Sequence, residues 1–249
     1  MKKNKFESKL SSNGPSYQPL YKQVEEYVTQ LIVEQRWKPG EMLPNEFQLA
    51  DEFNVSQGTV RKALNTLTVN NILERKQGVG TFVSERTSQN ALYKFFPIVA
   101  DGGKPELPMS ETLSRKIEFA TGEIAKSLDL ENNEEVIVLS RKRKIDNKLC
   151  ILEDIYLPKK YFDGLMEETS IPHTLYHFYQ TNYHHTVQNI SDSIKAILAN
   201  EEDAKQLNIS VNEPLLSFTR LAHSLEGKII EYRITRCKSD NYHYLVDLM

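Results

Sequence analysis

NVSQGTVRKALNTL, Asn54 to Leu67, breaks after Asn54-Val55 and resumes with a serine placed to cap a helix. With Ser56 as N-cap, Val60, Ala63, Leu64 and Leu67 fall at the i, i+3, i+4, i+7 spacing that buries one stripe of a helix. The opposite face carries Gln57, Gly58, Arg61 and Asn65. It offers hydrogen-bond donors, a guanidinium fork and a glycine that lets another surface approach, which suits a helix end inserted in the major groove of DNA. A solvated helix face would read the same way from these residues alone, so the flanking sequence decides.

Upstream, Pro19 precedes a pattern in which Leu20, Val24, Tyr27, Val28 and Leu31 share a face, predicting a helix to about Gln35. WKPGEMLP, Trp37 to Pro44, ends it with a Pro-Gly turn and leaves room for a short extended segment. Asn45 then caps a second short helix with Leu49, Ala50 and Phe53 inward, and Asn54-Val55 is the turn into the quoted helix. Downstream, ILERKQGVGTFV from Ile72 alternates and turns at Gln77-Gly78, the pattern of a β-hairpin. Three helices and a hairpin, the third helix with a free polar face, describe a winged helix-turn-helix.

The chain of 249 residues is 39% hydrophobic and 26% charged, the balance of folded globular protein. It lacks a run of about 18 apolar residues, and its start, MKKNKFESKLSSNG, lacks the apolar core of a signal peptide, so a cytoplasmic protein without membrane contact is expected. Cys150 and Cys237 lie far apart without CxxC spacing, so neither a disulfide framework nor a zinc site is indicated. The net charge of −3 is uneven: residues 1–86 carry +2 and the remainder −5, with all six histidines. That asymmetry marks two parts with different partners. The expected organisation is a flexible arm (1–14), the winged helix (15–84), a polar linker (85–94) and a second domain (95–249).

The segment from PLY (Pro19–Tyr21) through KPG, LPNE, LA, VS, TVRKAL and QGVGTFV resembles the DNA-binding domain of the GntR family of bacterial transcription regulators, in order and spacing. The resemblance implies that Arg61 contacts operator DNA together with Ser56, Gln57, Gly58 and Thr59. Asn45 and Lys62 flank this group, and Gln77 and Gly78 form the wing tip. Relatives commonly carry arginine where this chain has Phe47 and often where it has Gln57. Glutamine suits adenine as arginine suits guanine, so a shifted operator preference is expected.

The second part contains an internal echo. AKSLDLENNEEVIVLSR (Ala125 to Arg141) aligns without a gap on AKQLNISVNEPLLSFTR (Ala204 to Arg220). Each copy reads as helix, turn and strand, then a hairpin tip and a returning strand bearing Glu153 or Glu231. Arg141 and Arg143, two apart, point to one face of a strand and could grip an anion. The glutamates could receive ligand hydroxyls or an amine, or all four could be surface charges in cross-strand pairs. His173 and His177 are spaced i, i+4 on an expected helix, but with neither a HExxH glutamate nor a cysteine ligand no metal is assigned.

LSRKRKIDNKLCILEDIYLP, HTLYHFY and IIEYRITRCKSDNYHYLVDL resemble the UTRA effector domain of HutC-type GntR regulators, more loosely than the first domain matches. The resemblance implies an α+β chain: the winged helix-turn-helix followed by a chorismate lyase-like antiparallel sheet with helices. It places Arg141, Arg143, Glu153 and Glu231 around an effector, with Ser110 and Thr112 as phosphate donors and Thr174 and Tyr176 on the helix edge. The expected protein is a ligand-responsive repressor, a homodimer on double-stranded operator DNA. Its effector is a small anion, a sugar phosphate or amino-sugar phosphate, and no cofactor is needed. The alternatives are a non-phosphorylated carboxylate effector, or an enzyme built on the lyase-like domain. A nucleophile–base–orienter set is not evident, so no catalysis is expected.

Overall fold

A computed structural model describes residues 18–104 and 106–246 apart from 86–94, in two compact units divided after Glu85. The expected arm, and the expected linker beyond Glu85, lie outside the described residues.

In the first unit α1 (Leu20–Val33) buries Val24, Val28, Leu31 and Ile32. Leu20 is 43% exposed, so the buried stripe begins one turn later than the periodicity suggests. α2 (Glu46–Phe53) starts at Asn45, whose side chain accepts the Gln48 amide while Gln48 returns a bond to the Asn45 amide. Asn54 ends α2 in the left-handed region at φ 54°, swinging the chain into α3 (Gln57–Val69). Ser56 caps α3 by accepting the Thr59 amide, and Val60, Ala63, Leu64 and Leu67 are all buried, as the spacing predicts. Tyr27 of α1 meets Phe53 of α2 edge-on at 5.3 Å.

The wing pairs β1 (Leu73–Lys76) with β2 (Gly80–Val83), in register from Leu73 opposite Val83 to Lys76 opposite Gly80. Gly78, at φ +72°, supplies the left-handed residue of the tip. A side chain at Gly80 would place its Cβ 2.9 Å from the Met42 sulfur, because the extended Met42 bridges to Phe82.

The second unit pairs β3 (Ile98–Ala100) with β10 (Tyr242–Tyr244) in a small sheet and builds one antiparallel six-stranded sheet. Its strands are β4 (Met109–Phe119), β5 (Glu135–Ile145), β6 (Lys148–Pro158), β7 (Val187–Leu198), β8 (Pro214–Ser224) and β9 (Ile229–Lys238), in the order β4-β5-β6-β9-β8-β7. Short helices α4 (Gly122–Ser127) and α6 (Glu201–Leu207) precede β5 and β8, so each echoed segment is the predicted helix, turn and strand. The two strand–helix–hairpin halves meet where β6 pairs with β9. The first hairpin turns at Asp146 and Asn147, both with positive φ, which matches the twist of the strands.

The sheet has two buried faces. On one, Ile137, Leu139, Ile155 and Leu157 pack against Leu175, Tyr176, Phe178 and Tyr179 of α5 (Leu175–Asn182). On the other, Val136, Val138 and Tyr232 pack with Ala125 and Leu128, and Leu152 and Leu215 with Leu207. Clusters on both faces explain why β5 reads as the nearly continuous apolar run Val136–Leu139 before its charged end.

Candidate nucleic-acid interface and ligand cleft

The polar face of α3 is organised by a residue of α2. The Glu46 carboxylate accepts Arg61 Nε at 2.8 Å and Gln57 Nε2 at 3.4 Å on one oxygen, and Arg75 Nη2 at 2.9 Å on the other. Burial pushes the Glu46 carboxyl up, but the hydrogen bonds from Arg61 and Arg75 outweigh it and leave the pKa below the ordinary value. Arg61 nevertheless keeps 55% of its side chain exposed, held in place at little cost to its donors. Ser56 and Thr59 join hydroxyls at 2.8 Å across the first turn. A Cβ at Gly58 would meet only Ser56 Oγ at 3.8 Å, so glycine there keeps space free outside the helix.

Two residues expected at DNA have work inside the protein. Asn45 is spent on the cap of α2, and Lys62 lies 3.8 Å from the centre of the Tyr21 ring. Gln77 and Gly78 stand at the wing tip, as expected, and are exposed. Glu46 and Arg75 were not anticipated: 29 residues separate them, and no local pattern joins them.

In the second unit a cleft open to solvent is lined by Phe95, Phe96, Leu107, Arg141, Arg143, His173, Thr174, Leu175, Tyr176, Arg220 and Arg233. Glu153 lies beneath it. Its Oε2 takes Arg141 Nη2 at 2.6 Å and Nε at 3.2 Å, and its Oε1 takes Arg143 Nη1 and Arg233 Nη1, each at 3.1 Å. Burial pushes this carboxyl up, but Arg143, Arg141 and Arg233 together hold it well below the carboxylate range. Glu231 receives Arg233 Nε at 3.0 Å and Nη2 at 2.8 Å, Tyr176 at 3.0 Å and Tyr179 at 2.8 Å. Burial first, then the Glu231 charge, keeps both phenols protonated far above neutral pH.

Arg220 makes a two-point bridge to Asp192 at 2.7 and 2.6 Å and donates its third nitrogen to the Phe95 carbonyl. Burial lowers the Arg143 pKa to about 10, the Glu153 charge opposing it. Arg143 Nε and the Ser110 hydroxyl are buried with no hydrogen-bond partner among the described residues.

Of the expected ligand residues, Arg141, Arg143, Thr174 and Tyr176 line the cleft. Glu153 and Glu231 do not: their oxygens are saturated by arginines and tyrosines, so they position cationic groups rather than offer acceptors. Ser110 and Thr112 are also absent from the lining. They sit opposite Arg143 and Arg141 on the neighbouring edge strand, where the Ser110 amide bonds His173 Nδ1 at 2.9 Å and Thr112 is exposed. His173 precedes α5, so it and His177 do not share that helix. Arg220 and Arg233 were missed as lining residues. Arg220 closes the second echoed segment and Arg233 is two residues from Glu231, which are the sequence signals that could have found them.

The two echoed halves also differ at this site. Arg141 pairs in register with Glu153, but Arg220 pairs with Arg233, and Glu231 stands opposite Ala222. The glutamates are therefore not equivalent positions, and the asymmetry gathers charge from both halves at the central β6–β9 pair.

The family described as bacterial regulatory proteins, gntR family, matches residues 20–83, and the UTRA domain matches residues 106–243. The mannosyl-D-glycerate transport/metabolism system repressor MngR of Escherichia coli (strain K12) is 28% identical over 232 residues, covering 92% of this chain and 95% of the relative. A probable fructoselysine utilization operon transcriptional repressor from the same strain is 25% identical over 235 residues, covering 93% and 96%. Among solved structures, the ligand-binding domain of a GntR-family regulator from Bordetella bronchiseptica has a TM-score of 0.57 at 24% identity, over 63% of this chain and 99% of that one. PhnF from Mycobacterium smegmatis has a TM-score of 0.55 at 20% identity, over 91% and 99%. At these identities the structures share the fold alone. With a winged helix in its first unit and both family matches in order along its length, the chain belongs to the GntR family of bacterial regulators that carry a UTRA domain, and it is a DNA-binding transcription regulator.

Proposed function

We propose that the protein is a cytoplasmic, non-catalytic repressor that binds a two-fold operator as a homodimer, and that an anionic metabolite in the arginine cleft changes its affinity for DNA. The charge balance of the cleft carries this reading: among the described residues Arg141, Arg143, Arg220 and Arg233 pair with Glu153, Glu231 and Asp192, four positive charges against three negative. Buried cations are costly unless paired, so an anion that fills the cleft is favoured over a neutral guest. Arg143, which lines the cleft, keeps a buried Nε with no partner among the described residues. Residues 174–176 bring the start of α5, the positive end of its dipole, to the same wall.

The aromatic wall of Phe95, Phe96 and Tyr176 offers apolar faces that a sugar ring can use and inorganic phosphate cannot, which favours a phosphorylated sugar or amino sugar. The names of the relatives point to sugar-derived compounds, mannosyl-D-glycerate and fructoselysine, as the chemistry around which such repressors act. The dimer is needed because one winged helix reads few base pairs, and two half-sites related by a two-fold axis supply specificity.

A thermal-shift panel tests the effector class: glucose 6-phosphate and glucosamine 6-phosphate, their unphosphorylated parents, and simple sugar acids. A ligand at 100 times its Kd stabilises the fold by about 2.7 kcal/mol. The expected outcome is a phosphate-dependent shift followed by release of operator DNA. Equal stabilisation by a sugar and its phosphate would remove the anion from the proposal, and a shift with sugar acids alone would replace phosphate with carboxylate.

A further inference from the structure

Phe47, in the first turn of α2, leaves 70% of its surface exposed, and its ring meets no aromatic or cationic neighbour among the described residues. The core of its own helix is Leu49 and Phe53, both buried. The carboxylate of Glu46, next in the chain, reaches Gln57 and Arg61 of α3 and Arg75 of the wing, and so marks where the three elements meet. Phe47 projects about 100° further round α2 from Glu46, turning away from Leu49 toward solvent beside that junction. Glu46 is neutralised by two arginines, so a nearby phosphate backbone is not repelled from the ring.

We infer that Phe47 is a specificity-determining residue that packs against the C5-methyl group of a thymine in the operator half-site. The inference rests on the reading of α3 as the recognition helix. In the major groove the thymine methyl is the feature an apolar side chain can distinguish, while a glutamine suits adenine. Phe47 and Gln57, joined through Glu46, therefore select A·T pairs at neighbouring positions, and Arg61 supplies the guanidinium contact alongside.

The test begins with the full chain selecting duplexes from a random DNA library. Each thymine of the selected half-site is then replaced by deoxyuridine in both halves, which removes only the methyl group. At one position the replacement should weaken wild-type binding about fourfold per half-site, the effect of burying one methyl, while Phe47→Ala binds both duplexes equally. Thermal melts of Phe47→Ala should match wild type, because the ring is exposed. The inference is overturned if no thymine shows the effect, or if deoxyuridine weakens wild type and Phe47→Ala by the same factor. Arg61→Ala on the same duplex separates the two readings. Its loss of binding supports α3 as the recognition helix even where Phe47 fails, whereas undiminished binding brings down that reading and this inference with it.

Discussion

Glu153 lies under three guanidinium groups and is 2% exposed, so its ionisation is tied to folding. Its folded pKa is depressed well below the ordinary 4.5. A carboxyl with that sign contributes its full stability above the ordinary value and loses it as pH falls through the folded one. Stability of the whole chain, followed by urea titration, should therefore decline below about pH 4.5. Glu153→Gln leaves three buried arginines short of a counterion and should cost about 3–5 kcal/mol at pH 7, with a flatter acid response than wild type. Wild-type stability of Glu153→Gln at pH 7 would mean that the arginines do not need this carboxylate. Arg143 illustrates the opposite strain: its burial is only partly offset, which is the condition a bound anion would relieve.

Elements in this protein are set by their ends as much as by their faces. Asn45 and Asn200 each close a reciprocal capping box, and Ser56 accepts the Thr59 amide. Asn54 and Asn208 end their helices in the left-handed region. Asn45 was expected at DNA, and its cap role makes a distinguishable prediction. Asn45→Ala should lower stability by about 1 kcal/mol, whereas Asn45→Ser, which can still cap, should cost far less. Calorimetry checks both. Operator affinity of each variant, measured well below its melting temperature, should stay near wild type. If Asn45→Ser keeps its stability yet loses operator binding, Asn45 belongs to the DNA interface after all.

At the scale of the whole molecule, a regulator requires two sites that share one free-energy balance. An effector that changes operator affinity must itself bind with an affinity changed by operator through the same factor, typically about 5–150-fold. Calorimetric titration of the effector into free and operator-bound protein measures that factor directly. Arg141→Ala should abolish the effector response while ligand-free operator binding persists, and Thr174→Ala, milder for the fold, should weaken the effector without touching DNA. Arg61→Ala should keep effector affinity and lose operator. Equal effector affinity with and without operator would leave the two units uncoupled.

The sequence by itself determined the winged helix and the two helix–strand–hairpin segments of the second unit. Stripes at i, i+3 and i+4, capping side chains, and the Gln77-Gly78 and Asp146-Asn147 turns all act within a few residues, so the chain needs no distant partner to specify them. The internal echo likewise announced two similar halves and brought Arg141 and Arg143 to one strand face. What the chain could not reveal locally was which charges those arginines meet. That depended on β6 and β9 becoming central neighbours, which sets Arg233 against Glu153 across 80 residues of sequence and consumes the glutamates that seemed free for a ligand. The Glu46 clamp on Arg61 and Arg75 arises the same way, from helices and wing packing together. Periodicity records which side of an element is buried; the partner of a buried charge is chosen by strand order and register, and only the tertiary structure decided those.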